Sequence, residues 1–405
     1  MAKKFETPKG FRDFLPPLAS GRAFLLEKIT SAIRRFGFEP LETPALEFAE
    51  TLKGKYGEEE KLIFEFTDRG GRSVALRFDQ TVPLARVVAA NPTLPMPFKR
   101  YQIQPAWRAE NPQKGRFREF LQVDFDTVGC PTFLADAEIV AAAITATKEV
   151  GFSDFVMKIN DREVFRGLSA ETIRSIDKLK KIGEAGVVEQ LKREGYDARQ
   201  ASALLKKIKD SSPTRGIEKL FELLDNLKVE GDKYAFDPTL ARGLDYYTGI
   251  IYELEIEGYS GGSVGAGGRY DNLIGRFTDK KVPAVGFSFG VDRLVEAAQE
   301  AKLLPTYSPP TRVLVTIFKE SLLKESLLLV SRLRTQGIAA EIALDPGEKL
   351  DKQLKWADNK GIPFVAILGP EEIKKGLITL KSLSTGEQES LKESELIKRL
   401  KEPKF

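Results

Sequence analysis

The chain has 405 residues, 42% hydrophobic and 30% charged, with 63 basic and 59 acidic side chains for a formal net charge of +4. That length predicts two or three domains of a soluble globular protein, and the balanced charge neither demands nor excludes a nucleic-acid partner. One cysteine and no histidine exclude an intrachain disulfide, cysteine-based zinc sites, Ser-His-Asp and Cys-His catalysis and histidine-ligated metals, leaving acid–base chemistry to carboxylates, lysine, tyrosine or the substrate.

The N-terminal MAKKFETPKGFRDFLPP carries no apolar core of signal-peptide type, and no later run approaches the roughly 18 to 20 apolar residues of a membrane span. These features predict a cytoplasmic protein with no membrane partner. Residues 19–36 place Phe24, Leu25, Ile29, Ala32, Ile33 and Phe36 at helical spacing, with Gly37 as the stop. FEPLETPALEF reads as extended, interrupted by Pro40 and Pro44. KLIFEFTD and SVALRFD read as strands joined around Arg69-Gly70-Gly71, and TVPLARVVAANP reads as a helix.

FKRYQIQPAWRAENPQKGRFREFLQVDFD, residues 98–126, reads as two strands around a loop holding Glu110, Lys114 and Arg116. Alternation puts Leu121, Val123 and Phe125 on an apolar face. Arg100, Gln102, Gln104, Gln122, Asp124 and Asp126 fall on a polar one. A half-solvated antiparallel sheet would show this pattern. So would a binding surface, and the charge gradient favours that reading: arginines gather near the loop and carboxylates at the far end. A ligand with a polyanionic end and a cationic or donor-rich end would match, such as a nucleoside triphosphate together with an amino acid.

A helix is predicted from Ala135 to Val150. Residues 161–232 are rich in Lys, Glu, Leu and Ile at helical spacing and read as a helical insertion. Phe236 to Glu257 reads as strand-like. A glycine-rich stretch, GYSGGSVGAGGRYDNLIG, follows, and VPAVGFSFGVDRLVEAAQE reads as strand, glycine turn and helix. Beyond a linker at 299–310, RVLVTIF, IAAEIAL and PFVAILG alternate with helices in a βαβαβ pattern, which predicts a small α/β domain.

Several of these peptides occur together in one family. The strand–loop–strand resembles motif 2 of class II aminoacyl-tRNA synthetases. LARGLDYYTGIIYE and GAGGRYDNL resemble the two signature peptides of histidyl-tRNA synthetases. KGFRDFLP, LRFDQTVPLAR and GFSFGVDRL are similar to that family's N-terminal peptide, amino-acid-binding segment and motif 3. The resemblance implies an α/β (α+β) fold: a class II antiparallel catalytic sheet flanked by helices at 1–160 and 233–305, the helical insertion at 161–232, and a C-terminal α/β anticodon-binding domain at 306–405.

The resemblance also implies a reaction, ATP-dependent ligation of L-histidine to tRNA(His) through histidyl-adenylate. Its partners are tRNA(His), L-histidine and ATP with Mg²⁺, whose ligands stay unassigned, and the helix at 19–36 would belong to a homodimer interface. Arg108 and Arg242 would be catalytic. ATP would bind Arg108, Arg116, Arg293 and Gly290. Histidine would bind Asp79, Thr81, Arg108, Gln122, Asp126, Arg242, Tyr246, Tyr247 and Tyr270. Gln113 and Lys114 would meet the tRNA acceptor end, while Asn111 reads equally as a turn residue. Gly267, Gly268 and Gly290 would allow close approach to ligand or simply form tight turns. Many bacterial members carry Glu where Asp79 and Asp126 stand, one methylene longer.

Two other readings compete. A histidine-sensing regulatory subunit of ATP phosphoribosyltransferase resembles the catalytic core but generally lacks the anticodon domain and loses the arginines present here. A sensor of uncharged tRNA would sit beside further domains. The missing histidine has a functional reading too: an enzyme supplying histidyl-tRNA gains by not needing histidine for its own synthesis. Compositional drift is the alternative, and a proteome equally poor in histidine would remove the argument.

Overall fold

The computed structural model describes residues 5–54, 57–242 and 246–402. Two units are present, Met1–Pro305 and Thr306–Phe405. The first helix, α1 (Pro16–Arg34), starts earlier than its apolar spacing predicts because Pro16 occupies the first helical position. There the missing N–H would have no helical partner anyway. Then come β1 (Glu39–Pro40), β2 (Leu46–Phe48), α2 (Ala49–Leu52), β3 (Glu65–Thr67) and β4 (Ser73–Leu76). Lys61 and Leu62, expected in a strand, lie in a 3₁₀ turn.

Helix α3 (Thr81–Ala90) leads to the hairpin of β5 (Phe98–Trp107) and β6 (Glu119–Val128). After α4 (Phe133–Val150) and β7 (Phe155–Asp161) come α5 (Ala170–Asp177), α6 (Leu179–Arg193), α7 (Ala198–Lys209) and α8 (Arg215–Asn226). Ser169, Asp197 and Thr214 cap α5, α7 and α8 by accepting from backbone N–H groups. Helices α5 to α7 share a small core of their own around Ile176, Val187, Leu191 and Leu205. By contrast α8 sends Leu220 and Leu224 into the main core.

The unit ends with β8 (Tyr234–Phe236), β9 (Ile250–Ile256), β10 (Gly265–Arg269), β11 (Ala284–Gly290) and α9 (Val291–Glu300). Only parts of 236–257 are strand, and the glycine-rich stretch supplies a central strand, β10, rather than a loop alone. The order is β1-β5-β6-β11-β10-β9-β7-β8, antiparallel except for the edge pairs β1/β5 and β7/β8.

Strand β6 divides its faces as its alternation predicts. Phe125 packs toward the helices, with its ring centroid 5.3 Å from Phe38 and 5.7 Å from Phe287. Arg100, Gln102, Asp124 and Asp126 point the other way but are buried, which corrects the half-solvated reading. Residues 43–44 and 77–80 cover them: Gln102 donates to Thr43 Oγ1 (2.8 Å) and Arg77 to Gln104 Oε1 (2.8 Å). A buried ion pair anchors the opposite side. Asp136 of α4 meets Arg269 of β10 and accepts from the Tyr252 hydroxyl at 2.7 Å. Arg269 also holds the carbonyls of Cys130 and Thr132, in the turn before α4.

The second unit contains β12 (Val313–Val315), α10 (Leu323–Thr335), β13 (Ala340–Ile342), α11 (Leu350–Lys360) and β14 (Phe364–Ile367), with parallel pairing. Then α12 (Pro370–Lys375), the antiparallel strands β15 (Ile378–Ser382) and β16 (Gln388–Leu391), and α13 (Glu393–Lys401) complete it. The sequence pattern stopped at βαβαβ because β16 is largely exposed and polar.

Breaking a buried pair strands its partner's charge. Asp136→Ala is expected to cost about 3–5 kcal/mol, read as a lower midpoint in urea unfolding.

Candidate active site

Strands β6, β10 and β11 line a cavity of about 330 Å³ in the first unit, with Gln122, Asp124 and Asp126 contributed by the polar face of β6. Among the described residues, Asp79, Thr81, Arg108, Arg116, Gln122, Asp126, Arg242, Tyr246, Tyr247, Tyr270, Gly290 and Arg293 all line it. Gln113 and Lys114 do not. Gln113 pairs its backbone with Arg116 at the loop turn, and exposed Lys114 lies 3.1 Å from Glu300. Of the signature peptide LARGLDYYTGIIYE, residues 243–245 lie outside the described residues.

One end of the cavity is cationic. Arg108 extends past the end of β5, with its guanidinium carbon 4.3 Å from the Phe78 ring centroid and 5.1 Å from that of Phe120. Its Nε donates to the Phe78 carbonyl, and no hydrogen bond from its terminal nitrogens is seen among the described residues. Arg293 donates to the carbonyls of Gly115 (3.2 Å) and Ser263 (2.9 Å). Burial pushes its pKa down, and nearby Arg116 pushes it further. No carboxylate contacts Arg293 among the described residues, while Arg116 has only Glu110 at 3.4 Å. Two neighbouring guanidiniums with so little counter-charge form an anion site. On the opposite wall, Arg242 reaches Glu253 at 3.4 Å and lies over Tyr247.

The other end is lined by carboxylates, hydroxyls and amides. Asp79 Oδ1 accepts from the Val82 N–H and so caps α3. Gln122 donates to Ser288 Oγ (2.8 Å), which donates to Asp124 Oδ1 (2.5 Å), and Gln122 Oε1 is buried with no partner. Asp126 Oδ2 lies 2.7 Å from buried Arg100, and Oδ1 accepts from the Tyr270 hydroxyl. Burial pushes Asp126 up, and Arg100 and Tyr270 pull it back. Burial also raises Asp124, to about 7. Tyr246 and Tyr247 stack with centroids 4.8 Å apart.

Several contributors carried no sequence signal read as such. Arg100 stands at the end assigned to carboxylates, and register with Asp126 identifies it as their counter-charge. The only available cue was its place on the same face of the paired strands. The N-terminal peptide acts by support: Asp292, at the start of α9, binds Arg12 (2.8 Å) and Arg22 (2.5 Å) and accepts from the Leu121 N–H. The glycines split. Gly267 lies in β10, where a Cβ would fall 2.1 Å from the Gly286 carbonyl, so strand packing requires it. A Cβ on Gly286 would sit 1.8 Å from Asp126 Oδ1. Gly290 meets no such limit and precedes α9.

A family profile described as "Histidyl-tRNA synthetase" matches residues 10–294, and one described as "Anticodon binding domain" matches residues 312–403. The chain belongs to the histidyl-tRNA synthetase family. It is 39% identical to a histidine–tRNA ligase of Cytophaga hutchinsonii, covering 98% of this chain and 100% of that one. It is 40% identical to a histidine–tRNA ligase of Aeropyrum pernix, covering 96% of each. Its structure is similar to that of histidyl-tRNA synthetase from Nostoc sp. PCC 7120, with a TM-score of 0.84 at 32% identity over 98% of this chain and 99% of that one. The mixed fold, with its large antiparallel-rich sheet and second α/β unit, is therefore the histidyl-tRNA synthetase fold expected from the motifs. No helix among the described residues is long and apolar enough to cross a membrane.

Because Gly286 makes room for Asp126, Gly286→Ala is expected to cost about 1–3 kcal/mol by overpacking. Thermal denaturation should show the lowered Tm.

Proposed function

We propose that this protein activates L-histidine with ATP and transfers it to tRNA(His). One observation carries the reading: a single cavity joins an arginine-rich end to an end of carboxylates, tyrosines and an unpartnered amide oxygen. Activation requires attack of the histidine carboxylate on the α-phosphorus of ATP. A bond forms from carboxylate oxygen to phosphorus, the bond to the bridging oxygen breaks, and pyrophosphate leaves. The nucleophile is already ionised, so the protein supplies positioning and positive charge rather than a base.

Arg108 packs against the rings of Phe78 and Phe120, which supports a fork on the α-phosphate and the substrate carboxylate. Arg242, on the opposite wall, stabilises the five-coordinate transition state. Arg116 and Arg293 hold the outer phosphates and the adenine side. The unpartnered Gln122 Oε1 suits the substrate α-ammonium, with Asp79 and Thr81 beside it. Tyr247, Tyr246, Tyr270 and Asp126 form the side-chain end.

Among the described residues there is no group of three potential metal ligands. The donor set therefore fits Mg²⁺ arriving with ATP, held by phosphate oxygens and at most one or two carboxylates. The ion would offset phosphate charge there.

In the second step the terminal ribose hydroxyl of tRNA attacks the acyl carbon and AMP leaves. With no histidine in the chain, an adenylate phosphate oxygen takes the hydroxyl proton. A single-turnover transfer assay showing dependence on one protein carboxylate, with activation intact, would overturn that step. Gln113 and Lys114, outside the cavity on the hairpin loop, suit contact with the acceptor end, and the second unit suits the anticodon. A homodimer fits exposed Leu46, Phe48 and Phe66 on the small sheet of β2, β4 and β3. The regulatory-subunit reading is less supported: all four arginines line the cavity, and the anticodon-binding profile matches the second unit.

Amino-acid-dependent ATP–pyrophosphate exchange across all twenty amino acids tests the reading. Exchange with histidine alone is expected, and none with any amino acid would overturn it. Arg242→Ala should lower kcat for exchange by roughly 10²- to 10³-fold, with the Tm preserved.

A further inference from the structure

Two carboxylates on β6 face the side-chain end of the cavity, and their surroundings differ. Asp126 is committed to its own chain, with Oδ2 beside Arg100 and out of solvent contact, and Oδ1 on the Tyr270 hydroxyl. Asp124, one pleat closer to Gln122, spends Oδ1 on Ser288. Among the described residues, Oδ2 accepts no hydrogen bond and Asp124 touches no cation. The neighbouring donors are engaged elsewhere. The Gln102 amide, opposite Asp124 on β5, goes to Thr43 and Gln104. The Gln122 amide goes to Ser288. Arg77 goes to Pro105, Thr43 and Gln104.

We infer that Asp124, rather than Asp126 alone, presents the free carboxylate oxygen that accepts the imidazole N–H of bound histidine, and that Asp126 positions Tyr270 and Arg100 behind it. The inference rests on the histidine-activating reading above. Neutral imidazole carries one donor and one acceptor. Asp124 and Tyr247 both line the cavity, so a phenol and a carboxylate address one space. Asp126 is tied back by two partners. Asp124 lies one pleat along the same face of β6 and also lines the cavity.

A buried carboxylate with no cation in direct contact costs the fold stability, which is expected of a group kept for a ligand. Arg100 and Arg77 face it from β5 and the end of β4. Asp126 is on its own strand, Ser288 on β11, Asp79 ahead of α3, and Tyr247 and Tyr270 on the loops flanking β9 and β10. Burial, then Asp126 and Asp79, outweigh Arg100 and Ser288 and raise Asp124 to about 7. The sign follows: folded chain keeps this proton up to that pH, whereas unfolded chain releases it near pH ~4. Stability therefore falls as pH rises from ~4 to about 7 and the full cost of the ionised group stands above that; removing its charge recovers that cost.

The test compares wild type, Asp124→Asn and Asp126→Asn in pyrophosphate exchange, with histidine and with a weakly basic triazole analogue of histidine. Asp124→Asn is expected to raise KM for histidine roughly 10- to 100-fold, leave KM for ATP and kcat within about 3-fold, and narrow the preference for histidine over the triazole. Its Tm at about pH 8 should equal or exceed that of wild type. Asp126→Asn, which leaves Arg100 without a counter-charge, should lower the Tm. An unchanged histidine KM in Asp124→Asn overturns the inference. Equal loss for both substrates also overturns it, assigning Asp124 to the α-ammonium instead. Wild type showing no histidine-dependent exchange would fail the functional reading itself, an outcome distinct from either.

Discussion

The ion pair between Arg100 and Asp126 sits where two requirements meet. A polar cavity needs charged and hydrogen-bonding groups, yet the face of β5 and β6 that carries them is buried. Pairing across β5 and β6 resolves this by putting the cation and the carboxylate on the same face, opposite one another in register. Beside them Gln102 donates to Thr43 and Gln104, and Arg77 donates to Gln104, while among the described residues Arg100 Nε is buried without a hydrogen-bond partner. Such networks are stable only when nearly complete, so the few groups left open along this face mark where a ligand would complete them.

From that pair the cavity grades along the strands. Toward the loop, Arg108 packs against the rings of Phe78 and Phe120 without consuming its terminal nitrogens. Backbone carbonyls rather than carboxylates hold Arg293, which fixes its geometry while leaving its charge unspent. Cations near the tip are kept electrostatically available, whereas Arg100 deep in the sheet is fully neutralised. The same residue type thus does opposite work at the two ends of one hairpin, and depth decides which.

Much of this was legible in the chain itself. Period-two alternation in residues 98–126 fixed the apolar and polar faces of β5 and β6, and 3.6-residue spacing located α1, α3 and α4. The motifs identified the family and with it the set of side chains that line the cavity. What escaped were consequences of long-range pairing. The strand β10 has the composition of a loop, because Gly265 and Gly267 are demanded by the close approach of β11 and Gly268 by both its positive φ and the approach of β9. The buried state of the polar face depends on residues 43–44 and 77–80 folding over it, which no local pattern encodes. The polar strand β16 escaped because its exposed, polar residues carry no alternation, and α1 began early because proline, a breaker inside a helix, is well placed in its first turn.

Asp292 gathers Arg12, Arg22 and the backbone of β6 onto one carboxylate at the start of the helix that carries Arg293. Arg12 also stacks on Phe117, and the Gly10 carbonyl accepts from the Arg118 N–H, so residues 10–12 brace the hairpin as it enters its loop. The amino terminus is therefore a mechanical brace for the hairpin. A protease clipping there, or a fusion partner pulling on it, would loosen the arginine end of the cavity without removing a single residue that lines it.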